Sequence, residues 1–271
     1  MESFFLPYKS STIHYGKAGR GKKILICFHG YSQSIQIFSF IEKKIENDFT
    51  LITIDFPFHG KTIWNEGLNF TMNELLEIID QIIDQHSLPK SKMHLLGFSM
   101  GGRVALRILQ QVPDRIEKLM LIAPDGMKVN FWYWFATQNK IGNQFFKYTM
   151  RKPQAMFSLF KAVNKLGIVN QSIYKFVTHY INDEKVRDDL YKRWITMRKF
   201  KPQIKKIKNI IKEHKIPVRL LYGEFDKIIR VETAEKFMRG MEPYCRLNIV
   251  STGHYLLIDA NADAIIKMLK N

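Results

Sequence analysis

Residues 95–106 read LLGFSMGGRVAL, a short apolar run that meets Gly-Phe-Ser-Met-Gly-Gly and passes directly into helix-forming residues. A buried strand has no use for such glycines, and an ordinary helix N-cap needs only one polar residue. Gly97, Ser99 and Gly101 match G-x-S-x-G, the pattern of a strained strand-to-helix turn that lifts a nucleophilic serine above a sheet. Small neighbours give the turn its room, and the helix start behind Ser99 favours developing negative charge. The pattern is short, so its meaning depends on what surrounds it.

Compact apolar runs lie at 22–30, 49–57, 93–99, 117–124 and 216–223, with a weaker sixth at 246–253. Helical patterns fall between and after them at 34–46, 71–86, 100–111, 231–240 and 260–270. Short buried strands alternating with helices predict an α/β fold, a mostly parallel central sheet covered on both faces. The opening SFFLPY and STIHYG read as an antiparallel hairpin leading into it. From 126 to 212 the rhythm breaks into aromatic and basic helical stretches holding three of the four tryptophans. The expected organisation is a core of 1–125 and 213–271 with a helical cap, 126–212, inserted between sheet strands. There are no internal repeats or low-complexity tracts.

A nucleophilic serine needs a base. His254, in STGHYLLID, follows the last expected strand and so stands at the same carboxyl edge as Ser99. His29 and His59 also end strands, but one belongs to a His-Gly turn and the other follows Asp-Phe-Pro. His14, His86, His94, His179 and His214 fall in the hairpin, at helix or strand ends, or in the insertion. The base in turn needs a carboxylate that fixes its tautomer. Asp226, just past the strand at 216–223, is the leading candidate; Glu224 lies two residues nearer that strand, and Asp125 ends an earlier one. An oxyanion needs preorganised donors. The Met100 N–H at the helix start and the Tyr31 N–H after His29-Gly30 stand where such donors would. These motifs call for no cofactor and no metal ion.

Five segments in this order, FHGYSQS, IDFPFHGKT, GFSMGGRVAL, LLYGEFDKII and STGHYLLID, make the chain resemble the α/β-hydrolases, of the lidded, carboxylesterase-like kind. The second segment departs from the usual Asp-x-Pro-Gly-x-Gly-x-Ser, with Phe58 at the glycine and Thr62 at the serine. The resemblance implies a triad of Ser99, Asp226 and His254 and an oxyanion hole from Tyr31 and Met100. It disfavours epoxide hydrolases and haloalkane dehalogenases, which use an aspartate where this chain has Ser99. The expected activity is cleavage of a small-molecule carboxylic ester or thioester through an acyl-enzyme. The alternatives are a C–C bond hydrolase or lyase on an anionic substrate, and a non-catalytic ligand-binding protein. Arg103, four residues after the serine, stands where the similar menaquinone-pathway synthase holds its anionic substrate, and so is a candidate substrate-binding residue.

The net charge is +17. Between 125 and 210, 18 Lys and Arg face five acids, so +13 of it falls in a third of the chain. Solvated lysines account for such a surplus without function; attraction of an anionic substrate or an acidic acyl carrier protein is the functional reading. No nucleic-acid motif accompanies the charge. The N-terminus does not read as a secretory signal, and no apolar run reaches the ~18–20 residues of a membrane span. Cys27 and Cys245 sit in apolar runs with no metal-ligand spacing, as reduced core thiols of a cytoplasmic protein would.

Overall fold

The structure, a computed structural model, describes residues 1–90, 92–128, 131–153 and 183–270. Eight strands form one sheet in the order β1-β2-β4-β3-β5-β6-β7-β8. β1 (Glu2–Tyr8) and β2 (Ser11–Ala18) are the antiparallel hairpin, joined antiparallel to β4 (Phe49–Ile54). β3 (Lys23–Phe28), β5 (Met93–Phe98), β6 (Ile116–Ile122), β7 (Val218–Gly223) and β8 (Cys245–Val250) continue the sheet in parallel. Every residue of β4 and β5 is buried, which is why these strands read as unbroken apolar runs rather than alternating ones. β8 is the outer strand and only its first residue is buried, hence its weaker signal.

The helical pattern at 34–46 resolves into a 3-10 segment, Ile35–Ile41, and one α-turn, α1 (Glu42–Ile45). α2 (Met72–Gln85) starts at Thr71, whose hydroxyl accepts from the Glu74 N–H while the Glu74 carboxylate accepts from the Thr71 N–H. α3 (Met100–Gln111) is buried along nearly its whole length.

The chain divides into two compact units, one of Met1–Glu66, Phe70–Lys128 and Lys199–Asn271, the other of Gly67–Asn69 and Val129–Arg198. In the second, α4 (Phe131–Gln138) and α5 (Lys140–Arg151) form a hairpin around Asn139, whose side chain accepts from the Gly142 N–H at 2.9 Å. They and α6 (Glu184–Thr196) enclose a small core of Ala136, Phe146 and Ile195, with Trp194 and Tyr191 each 5.5 Å from the Phe146 ring. Residues 154–182 of the expected cap, His179 among them, lie outside the described residues.

The first unit takes in 126–128 and 199–212, which the sequence reading assigned to the cap. The physical reason is α7 (Ile204–Glu213), which buries Ile207, Ile210 and Ile211 and is tied to α3 where the Gln203 N–H donates to Gln110 at 3.0 Å. Its exposed lysines look like a continuation of the basic insertion, but its buried isoleucines and its tie to α3 place it in the first unit. α8 (Glu232–Met238) and α9 (Ala262–Lys270) complete this unit.

Candidate active site

Ser99 is the residue between β5 and α3, with φ 50° and ψ −115°. This conformation is costly for a residue with a side chain, and the surroundings hold it in place. The Ser99 N–H donates to the Ile122 carbonyl at 3.0 Å, and the Ser99 carbonyl accepts from Gly102 and Asp125 at 2.9 Å each. A Cβ on Gly97 would lie 2.5 Å from the Gly101 carbonyl oxygen, and one on Gly101 would lie 2.0 Å from that of Phe28. The two glycines that flank the serine are therefore demanded by backbone contact.

The loops after β7 and β8 run side by side. Glu224 N–H donates to Val250 and Phe225 N–H to Thr252, while a Cβ on Gly223 would strike the Gly253 carbonyl at 2.4 Å. This pairing brings Asp226 and His254 together. The buried Asp226 accepts from the Ile228 and Ile229 N–H groups through Oδ1, at 2.8 and 2.9 Å, and meets His254 Nδ1 through Oδ2 at 2.7 Å. With Nδ1 donating to the carboxylate, His254 Nε2 is left as an acceptor, and it lies 3.1 Å from Ser99 Oγ. The imidazole rests against Phe98, ring centroids 5.3 Å apart.

The rival acids stand elsewhere. Glu224 accepts from Ser251 Oγ at 2.8 Å. Asp125 accepts from the Gly126 N–H at 2.7 Å and lies 3.4 Å from the Arg103 guanidinium. Arg103 is itself buried, its side chain against Gly126.

Met100 is the first residue of α3, where a backbone N–H has no partner within the helix. Tyr31 lies in the turn after β3, whose Phe28 pairs with Gly97, so this turn abuts the one that carries Ser99. His29 fastens it: Nδ1 donates to the Gly30 carbonyl at 2.8 Å and Nε2 accepts from the Phe56 N–H at 3.2 Å. These main-chain bonds account for a histidine that ends a strand without reaching Ser99.

The reading of single residues missed Asp55. Buried, it joins His14 Nδ1 at 2.6 Å and accepts from the Ile35 and Lys61 N–H groups at 2.8 and 2.9 Å, tying β2, the loop after β3 and the end of β4 together. A Cβ on Gly60 would fall on the Asp55 carboxylate. Phe58, at the position where glycine is usual, keeps the left-handed backbone at φ 62°, and Thr62 donates to the Asp55 carbonyl at 2.7 Å. The available signal was an acid at the carboxyl end of an otherwise apolar run. Among the described residues no cluster of metal-ligating side chains occurs, and no helix is long and apolar enough to cross a membrane.

Residues 23–261 match the sequence pattern of the alpha/beta hydrolase fold, and the chain belongs to this family. It is a hydrolase whose relatives include esterases and lipases. An uncharacterized hydrolase of Bacillus subtilis, YugF, is 22% identical over 243 residues, 89% of this chain and 86% of the relative. A pimeloyl-[acyl-carrier protein] methyl ester esterase of Proteus mirabilis is 30% identical over 113 residues, 42% of this chain and 41% of the relative. A thermophilic esterase from Thermogutta terrifontis shares the fold, with a TM-score of 0.69 at 16% identity over 100% of this chain and 98% of that one.

Proposed function

We propose that the protein cleaves a carboxylic ester or thioester through an acyl-enzyme on Ser99. The observation that carries this reading is the continuous hydrogen-bond chain from Asp226 through His254 to Ser99. Ser99 Oγ attacks the substrate carbonyl carbon as His254 Nε2 takes its proton. Asp226 holds the imidazole in the right tautomer and stabilises the imidazolium that forms. The oxyanion accepts hydrogen bonds from the Tyr31 and Met100 N–H groups, each worth about 3–4 kcal/mol in such a site. Collapse of the intermediate breaks the bond to the alcohol or thiol, which leaves with the proton from His254. Water, deprotonated by the same histidine, then releases the acid and restores Ser99.

The inserted helical unit is assigned the role of a cap. The narrower reading of the substrate is an acyl ester on an acidic carrier protein; the basic surplus and the Proteus mirabilis relative support it. The two free, buried cysteines fit a cytoplasmic location. The alternative, a C–C bond hydrolase or lyase on an anionic substrate, would use the same three residues and would draw on Arg103, whose guanidinium lies 3.4 Å from Asp125. A fluorophosphonate probe tests the central claim. It should add one phosphonyl group, on the peptide containing Ser99, and labelling of another residue would overturn the assignment.

A further inference from the structure

Helix α5 has three distinct faces. Gly142, Phe146 and Thr149 point into the core of the inserted unit. Ile141, Phe145 and Tyr148 follow one another at i, i+4 and i+7 and are 76%, 55% and 52% exposed. Lys140, Gln144, Lys147 and Arg151 repeat that spacing one residue earlier and are also exposed, so they form a second stripe about 100° round the helix. Single exposed apolar residues are ordinary, but three in register on one helix face are not.

The surrounding sequence has a matching bias. Residues 126–182 contain no Asp or Glu, eight Lys or Arg, and 13 of the chain's 35 aromatic residues. No carboxylate within this stretch offsets the cations, so their field adds up. An apolar stripe beside a cationic one is the arrangement of a helix lying in a lipid interface. Its apolar face enters the headgroup boundary while its lysines and arginines stay level with the phosphates. A bilayer surface offers both halves of this match, phosphates for the cations and an apolar phase for Ile141 and Phe145, whereas a solvated acidic protein face offers chiefly the charge.

We propose that the Ile141–Phe145–Tyr148 face of α5, edged by Lys140, Lys147 and Arg151, docks the protein on the surface of an anionic phospholipid bilayer. The docking does not depend on the chemistry at Ser99, so a Ser99→Ala protein should bind vesicles as the wild type does.

Vesicle flotation tests this with phosphatidylcholine alone and with phosphatidylcholine containing phosphatidylglycerol. The protein should float with the anionic vesicles and not with the neutral ones. Reversing Lys140, Lys147 and Arg151 to Glu should lower partitioning about a hundredfold or more, and Ile141→Ser with Phe145→Ser about tenfold or more. Both variants should keep wild-type turnover of a short soluble ester in vesicle-free buffer. Phe145→Trp should add fluorescence quenched by brominated lipid, a readout that needs no loss of binding. Equal partitioning onto neutral vesicles, no partitioning at all, or full partitioning by the variant with Ile141→Ser and Phe145→Ser would overturn the proposal. So would a lowered kcat/KM on an acyl-carrier-protein ester without vesicle binding, which would make the face a protein-docking one.

Discussion

The sheet unit and the inserted unit handle charge and backbone in opposite ways. In the sheet unit three buried ionisable groups each meet a partner: Asp55 meets His14, Asp226 meets His254, and Arg103 meets Asp125. Its turns are fixed by backbone contacts that admit only glycine, as at Gly97, Gly101 and Gly223. In the insertion, α6 pairs Lys192 with Asp188 and Arg193 with Asp189, but residues 126–182 before it contain no acid. Where packing dictates the residue, geometry can be built to a fraction of an ångström. Where composition alone is set, the surface carries a field and an apolar stripe.

The largest test of that contrast removes the nucleophile. Ser99→Ala deletes one hydroxyl from a turn held by backbone bonds, so the melting temperature should stay close to that of the wild type. By analogy with other triad enzymes, kcat should fall by about 10⁴–10⁶. Retention of more than about a hundredth of kcat would remove Ser99 from the mechanism. Next comes the acid. Asp226→Asn leaves the shape of the site but reverses the hydrogen bond to His254, so the ring adopts the wrong tautomer and kcat should drop about 10⁴-fold. Asp125→Asn should leave kcat within a few-fold and lower the melting temperature, because it weakens the partner of a buried guanidinium. Opposite outcomes would assign the catalytic acid to the loop after β6.

Most of the sheet was readable because strands buried on both faces leave uninterrupted apolar runs, as β4 and β5 do. Ser99 and Asp226 were readable because each follows a largely buried strand, and His254 because it ends the weaker run of β8; all three meet in the structure. The limit of the insertion was harder to see. α7 carries its lysines outward and only three isoleucines inward, so its charge masks its attachment to α3. Asp55 was obscured for a different reason: besides the nearby Lys61 N–H, its partners lie 41 residues upstream at His14 and 20 residues upstream at Ile35, where no local pattern points.

A smaller effect should come from His94 on β5. Burial first, and the nearby Lys118 second, push its pKa down from 6.5 to about 4, so the folded chain keeps the ring neutral against Phe49. The unfolded chain binds a proton at higher pH than the folded one. The contribution is therefore present in full above about pH 6.5 and is lost as pH falls toward 4, by up to about 3 kcal/mol. Urea unfolding of the wild type and of His94→Leu across this range should show a shallower pH dependence in the variant. Identical slopes would mean that His94 is not the group responsible.

The smallest expected effect separates the charges of the two units. If the basic surplus recruits an acidic carrier, kcat/KM for an acyl-carrier-protein ester should fall roughly tenfold or more as salt rises from 0.1 to 1 M. Over that range the Debye length shrinks from about 10 Å to about 3 Å. A neutral short ester should be nearly indifferent to salt. Lys205 and Lys206 are exposed on α7 and can be reversed cleanly. Lys208 cannot, because its ammonium donates to the carbonyls of Lys236 and Arg239 at the end of α8. Charge reversal at Lys205 and Lys206 should flatten the salt slope if the sheet unit supplies the attraction, and reversal at Lys140 and Lys147 should do so if the insertion does. Equal slopes for the carrier ester and the neutral ester in the unaltered protein would end the carrier reading, leaving the lysines of α7 as solvated surface.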